Sequence, residues 1–182
     1  GRICLVEDVE DVRHLNVRDP ARVGVVTQTT LSVVDTADVL EALQAKFPTL
    51  ATPRKEDICY ATQNRQDAVK KLVADCDVMV VVGSATSSNS NRLREIAEKA
   101  GMPGYLVDGP ENLRAERFEG QQAVGVTAGA SAPELLVQRV VARLKEWGGQ
   151  GATEIEGRAE HVVFALPREL RAAKPGAGDI QS

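Results

Sequence analysis

The stretch Asp77-Val78-Met79-Val80-Val81-Val82-Gly83-Ser84-Ala85-Thr86-Ser87-Ser88-Asn89-Ser90-Asn91-Arg92 changes character twice. Residues 77–82 open it with a continuous apolar run, as a strand covered on both faces requires. A loop of glycine and short polar residues follows. After it Leu93, Ile96, Ala97 and Ala100 recur at helical spacing, and Gly101 ends the helix predicted over 91–100. A buried strand, a polar loop and an amphipathic helix make one repeat of a parallel α/β sheet. Loops of this kind gather at the carboxyl ends of the strands, where helix N-termini turn unpaired backbone donors toward a ligand.

The alternation extends in both directions. Downstream, 105–107 and 123–127 read as strands, with a short helical piece near 110–117. A helix over 133–147 buries Leu135, Leu136, Val140, Val141 and Leu144, and Gly148-Gly149 marks its exit. Upstream, a helix over 64–74 buries Ala68, Val69, Leu72 and Val73. A helix over 36–47 carries Val39, Leu40, Leu43 and Phe47 on one face and stops at Pro48. Residues 3–7 and 22–27 read as strands, and 9–15 as a short helix. The expected organisation is a partial α/β unit over 1–55, a complete one over 56–148, and a tail over 149–182. The tail holds a predicted strand at 162–166 and, over 172–182, an end whose small and polar residues suggest disorder. The chain opens on Gly1-Arg2 directly before an apparent buried strand, which reads as a piece of a longer protein.

Bulk properties exclude more than they assign. A chain of 182 residues can bury a core, and 43% hydrophobic content is ordinary for a globular protein. One Trp, two Tyr and three Phe are too few for a base-stacking surface, and a net charge of −4 gives no support for nucleic acid or an anionic membrane. No apolar run approaches a membrane span and no signal peptide is visible, so cytoplasmic residence is the expectation.

Four loops carry the candidate chemistry: Thr27-Gln28-Thr29-Thr30, Asp57 to Gln66 with Cys59, Gly83 to Arg92, and Gly125-Val126-Thr127-Ala128-Gly129-Ala130-Ser131-Ala132-Pro133. Their hydroxyls and amides suit a phosphate or diphosphate, and glycines such as Gly125 and Gly129 permit close backbone approach. Ser131-Ala132-Pro133-Glu134 also fits a helix capping box, which by itself would account for Ser131. The three cysteines, Cys4, Cys59 and Cys76, form neither a CxxC nor an even disulfide set. Cys4 and Cys76 read as small buried hydrophobes, whereas Cys59 lies in a polar loop and suggests soft-metal or redox chemistry. His14 and His161 are far apart in sequence, and neither sits in a triad or metal context. No GxGxxG, P-loop or GxSxG pattern is present. The residues thus offer a phosphate cradle and one soft ligand, and no complete catalytic set.

These loops, in order and with their spacing, closely resemble the 4-hydroxy-3-methylbut-2-enyl diphosphate reductases over residues 3–170. The resemblance implies a trefoil of repeated parallel-sheet α/β units around a [4Fe-4S] cluster, with the first unit of this chain incomplete. It implies that Cys59 is a cluster ligand, that Ser87, Ser88, Asn89 and Ser131 bind the substrate diphosphate, and that Thr29 contacts the substrate near its hydroxyl end. The implied reaction is reductive dehydroxylation of 4-hydroxy-3-methylbut-2-enyl diphosphate to isopentenyl and dimethylallyl diphosphates, the last step of the methylerythritol phosphate route. Its implied electron donor is a reduced flavodoxin or ferredoxin. In the family pattern the other cluster cysteines, the diphosphate-binding histidines and the glutamate proton donor fall before residue 1, so the fragment alone is expected to be inactive. A rival reading keeps the loops but makes Cys59 a bystander in a non-redox α/β diphosphate-binding module.

Overall fold

The computed structural model describes residues 2–53 and 57–155. Its helices are α1 (Val9–His14), α2 (Val33–Lys46), α3 (Tyr60–Asp75), α4 (Ser88–Lys99) and α5 (Glu134–Glu146). The strands β1 (Val78–Val82), β2 (Gly104–Val107) and β3 (Val124–Ala128) pair in parallel in the order β2-β1-β3. The chain is therefore α/β, as expected. No helix among the described residues is long and apolar enough to cross a membrane.

β1 is buried at every residue, which is what a run of Val and Met without polar alternation demands. Because side chains alternate across a strand, the run supplies two cores. Met79 and Val81 pack against Val69 of α3 and Leu93 and Ala97 of α4. Val80 and Val82 pack on the other face with Val107, Leu113 and Val140 of α5. Helices α3 and α4 thus cover one face, and α5 with two 3₁₀ turns (Pro110–Asn112 and Ala115–Arg117) covers the other.

The region before Pro53 keeps its two predicted helices, α1 and α2, but the strands expected at 3–7 and 22–27 are irregular. Residues 3–7 form no strand, and Ile3 and Leu5 are 98% and 79% exposed. Residues 22–27 reduce to a single parallel bridge, Gly24 to Ala51. An extended segment needs a neighbour for its backbone groups, and among the described residues neither stretch finds a full one. Cys4 is consequently exposed, contrary to its expected burial, while Cys76 is half-buried against the α3–α4 core. What does assemble here is a small cluster of Val12, Leu43 and Phe47 joining α1 to α2. Lys46 secures that joint by donating to the carbonyls of Val12 and Arg13 at the end of α1.

Two links tie α2 to the sheet-bearing part. Gln66, 1% exposed on α3, donates to the Leu31 carbonyl and accepts from the Val33 N–H. Asp35 in the first turn of α2 pairs with Lys99 at 2.6 Å and Arg92 at 3.7 Å, both on α4. The strand predicted at 162–166 and the end at 172–182 lie outside the described residues.

Candidate functional site

Strands β1 and β3 are neighbours whose outgoing loops lead to helices on opposite faces of the sheet: β1 to α4, and β3 to α5. The crevice between two such loops is where open α/β sheets take ligands. Backbone bonds fix both loops at the strand ends, with the Gly83 N–H donating to Val107 O and the Gly129 N–H to Val82 O, each at 2.9 Å.

Ser90, at the start of α4, fills the space between the loops. A Cβ built on Gly83 or on Gly129 would collide with the Ser90 hydroxyl, so both positions require glycine for close packing rather than for an unusual φ. Ser90 Oγ in turn donates to Ser87 Oγ at 3.1 Å. Ser87 is the N-cap of α4 and also accepts from the Ser90 N–H at 3.3 Å. With both lone pairs engaged, the Ser87 hydroxyl keeps its own proton to donate. Ser88, the first residue of α4, is exposed.

Asn89 is the informative side chain. It is 6% exposed, and both its amide nitrogen and its amide oxygen are buried without a hydrogen-bond partner among the described residues. Its Nδ2 lies 3.7 Å from the point where a Gly129 Cβ would stand, so it reaches the second loop. Burying an unpaired amide costs about 1–3 kcal/mol, so this group needs a polar partner, whether water or a ligand.

Ser131 is exposed, and its capping role does not materialise. Helix α5 begins at Glu134 with Pro133 as N-cap and no side-chain cap bond, whereas a capping box on Ser131 would need Glu134 a full turn inside. A turn closed by the Ala132 N–H on Gly129 O occupies that stretch instead. Arg92, the nearest cation by sequence, is engaged by Glu95 at 2.6 Å and by Asp35.

A second assembly forms where residues 27–33 meet the start of α3. Cys59 is the N-cap of α3, exposed, with its thiol making no cap bond. Its N–H donates to the Thr29 carbonyl at 3.0 Å, which brings two of the expected site residues together. Asp57 Oδ2 accepts from both the N–H and the hydroxyl of Thr27. Asp57 and Gln66 bound the polar stretch marked from sequence, but no role was assigned to either; Gln66 lies on the buried face of α3 with Thr62 and Val69. Among the described residues no three His, Cys, Asp or Glu side chains converge as a metal site, so Cys59 stands as one soft, accessible donor. Cys76 differs: burial, then the charges of Asp75 and Asp77, hold its thiol above the usual range.

A family model described as LytB protein matches residues 1–145. The chain belongs to the LytB protein family. Relatives of this LytB chain include the 4-hydroxy-3-methylbut-2-enyl diphosphate reductases of Ectopseudomonas mendocina (strain ymp), 60% identical, and Hahella chejuensis (strain KCTC 2396), 61% identical. Each match covers 94% of this chain and 54% of the relative, so the LytB chain spans about half the length of these proteins. Among solved structures, the E-1-hydroxy-2-methyl-but-2-enyl-4-diphosphate reductase from Plasmodium falciparum superposes with a TM-score of 0.72 at 37% identity, covering 77% of this chain and 44% of that one.

Proposed function

We propose that this LytB chain supplies the diphosphate cradle and one cluster thiolate of a 4-hydroxy-3-methylbut-2-enyl diphosphate reductase. The buried, unpartnered amide of Asn89 beside the Gly129 loop carries this reading, because it is a hydrogen-bonding group awaiting a polar ligand. In it, Asn89, the Ser87 proton, Ser88 and Ser131 receive the diphosphate oxygens at the strand ends, helped by the N-terminus of α4. Hydrogen bonds to a charged oxygen are each worth about 1.5–3 kcal/mol, enough for a few to hold the substrate.

Thr29 contacts the hydroxyl end of the substrate, and Cys59 offers a thiolate of the soft kind that a [4Fe-4S] cluster needs. The chemistry such a cluster supplies when bound is electron delivery and activation of the carbon–oxygen bond that breaks. The Cys59 N–H bond to the Thr29 carbonyl holds the two residues next to each other. The net change is uptake of two electrons and two protons, loss of water, and formation of isopentenyl and dimethylallyl diphosphates. The electrons come from a reduced flavodoxin or ferredoxin type donor, and the protein works in the cytoplasm. Division of the chain into 1–55, 56–148 and 149–182 belongs to the same reading, and the separate core clusters on either side of residue 55 support it.

The test uses the complete protein, reconstituted anaerobically. Iron content, visible absorption and turnover with a reduced donor should all be present, and inorganic diphosphate should compete with substrate. Diphosphate binding in a protein that takes up no iron would favour the non-redox module instead.

A further inference from the structure

The segment carrying Thr29 is laced to the start of α3 at alternate residues. Thr27 donates its N–H (2.9 Å) and its hydroxyl (3.3 Å) to Asp57 Oδ2. The Thr29 carbonyl accepts from the Cys59 N–H at 3.0 Å. The Leu31 carbonyl accepts from Gln66 Nε2 at 2.7 Å, and the Val33 N–H donates to Gln66 Oε1 at 3.0 Å. Residues 27–32 form no regular structure, and these bonds to α3 and the loop before it set their course.

We propose that Asp57 and Gln66 are positioning residues that hold the Thr29 loop in register with Cys59, and so set where the hydroxyl end of the substrate lies. The proposal rests on the reading of Cys59 as a cluster thiolate and of Thr29 as a substrate contact. Three features support it. Gln66 is 1% exposed, and both ends of its amide are spent on the backbone of this one segment. Asp57 places both Thr27 bonds on a single oxygen, which fixes the segment two residues before Thr29. The Asn89–Gly129 crevice is built on β1 and β3, and among the described residues the side-chain bonds of Asp57 and Gln66 go to the 27–33 segment instead. The two ends of the substrate site are therefore separable by mutation.

The experiment uses the complete, cluster-loaded protein and the variants Asp57→Ala, Asp57→Asn and Gln66→Leu. Small misplacements of a substrate contact cost up to about 100-fold in rate, so Asp57→Ala and Gln66→Leu should lower kcat/KM about 10- to 100-fold. Their iron content and their Kd for inorganic diphosphate should stay at wild-type values. Asp57→Asn keeps an oxygen that accepts the same two bonds and should restore most of the activity. If Asp57→Ala does not fold, Thr27→Val removes only the hydroxyl arm and should still lower kcat/KM with diphosphate affinity unchanged. Unchanged kcat/KM in the folded variants, a parallel fall in diphosphate affinity, or no recovery in Asp57→Asn would overturn the proposal. Full cluster content in Cys59→Ala would instead overturn the assignment of the thiol, a result independent of these variants.

Discussion

The Ser90 hydroxyl occupies the space in which a side chain on Gly129 would stand. One serine therefore keeps the loop after β3 against the start of α4, and the same contact recurs with Gly83 after β1. Adding a methyl group at Gly129 should push this packing apart. Gly129→Ala is expected to lower stability by about 1–3 kcal/mol, the usual range for overpacking, and to weaken diphosphate binding. Thermal melting and diphosphate calorimetry on the same preparation check it, and a variant unchanged in both would mean that the loop yields freely.

Asn89 should show a trade between stability and binding. Its amide is buried without a hydrogen-bond partner among the described residues, so an apolar residue of similar shape relieves that cost. Asn89→Leu is expected to melt at or above the wild-type temperature while losing about 10- to 100-fold in affinity for diphosphate. Lower stability with intact affinity would place the cradle elsewhere.

The cysteines should separate cleanly. Cys59→Ala removes an exposed soft donor and should abolish the cluster's visible absorption and nearly all turnover in the complete protein. Cys76→Ala should keep both. Burial and two neighbouring aspartates raise the Cys76 thiol, so it should also be the slowest of the three to alkylate in iron-free protein at neutral pH. Peptide mass mapping over a time course reads the order, and rapid labelling of Cys76 would contradict it.

Asp35 predicts an acid-side effect. The hydrogen bond from Lys99 is the main influence holding its carboxyl below the ordinary 3.8, with partial burial opposing and the charges of Lys99 and Arg92 assisting. A lowered folded pKa gives stability that is complete above the ordinary value and is lost as pH falls through the lowered one. The side chain is 43% exposed, so the contribution is that of a surface pair, about 0–1 kcal/mol. The Tm difference between wild type and Asp35→Asn should be small near pH 6, and should fade as pH falls below 3.8 and with added salt. A difference that grows in acid would reverse the sign of this assignment.

The sheet was readable in advance because its signal is local. The Val78–Val82 run, the spacing of Leu93 and Ala97, and glycine at helix ends each declare an element without reference to anything distant. The starts of α3 and α4 lie before the predicted ones. α3 begins at Tyr60 and α4 at Ser88, where the first turn is polar and carries no apolar period. The strands expected near Ile3 and Val25 failed for the opposite reason: an apolar run states a preference, and a ladder needs a partner. At the site, the polar loops and Cys59 were visible as residue types. The roles of Asp57, Gln66 and Ser90 were not, since each acts on backbone or loop atoms that only the fold brings near.

Strand β1 is the shared wall of two cores, with Met79 and Val81 facing one and Val80 and Val82 the other. Neither helical layer can therefore melt alone without stripping one side of the strand that anchors its counterpart. Amide protons of β1 should exchange with solvent only through global opening, more slowly than those of α1 or of the segment before it. In the proposed reading the diphosphate crevice lies at the end of this strand, so the β1 side of the cradle should be set before any ligand arrives.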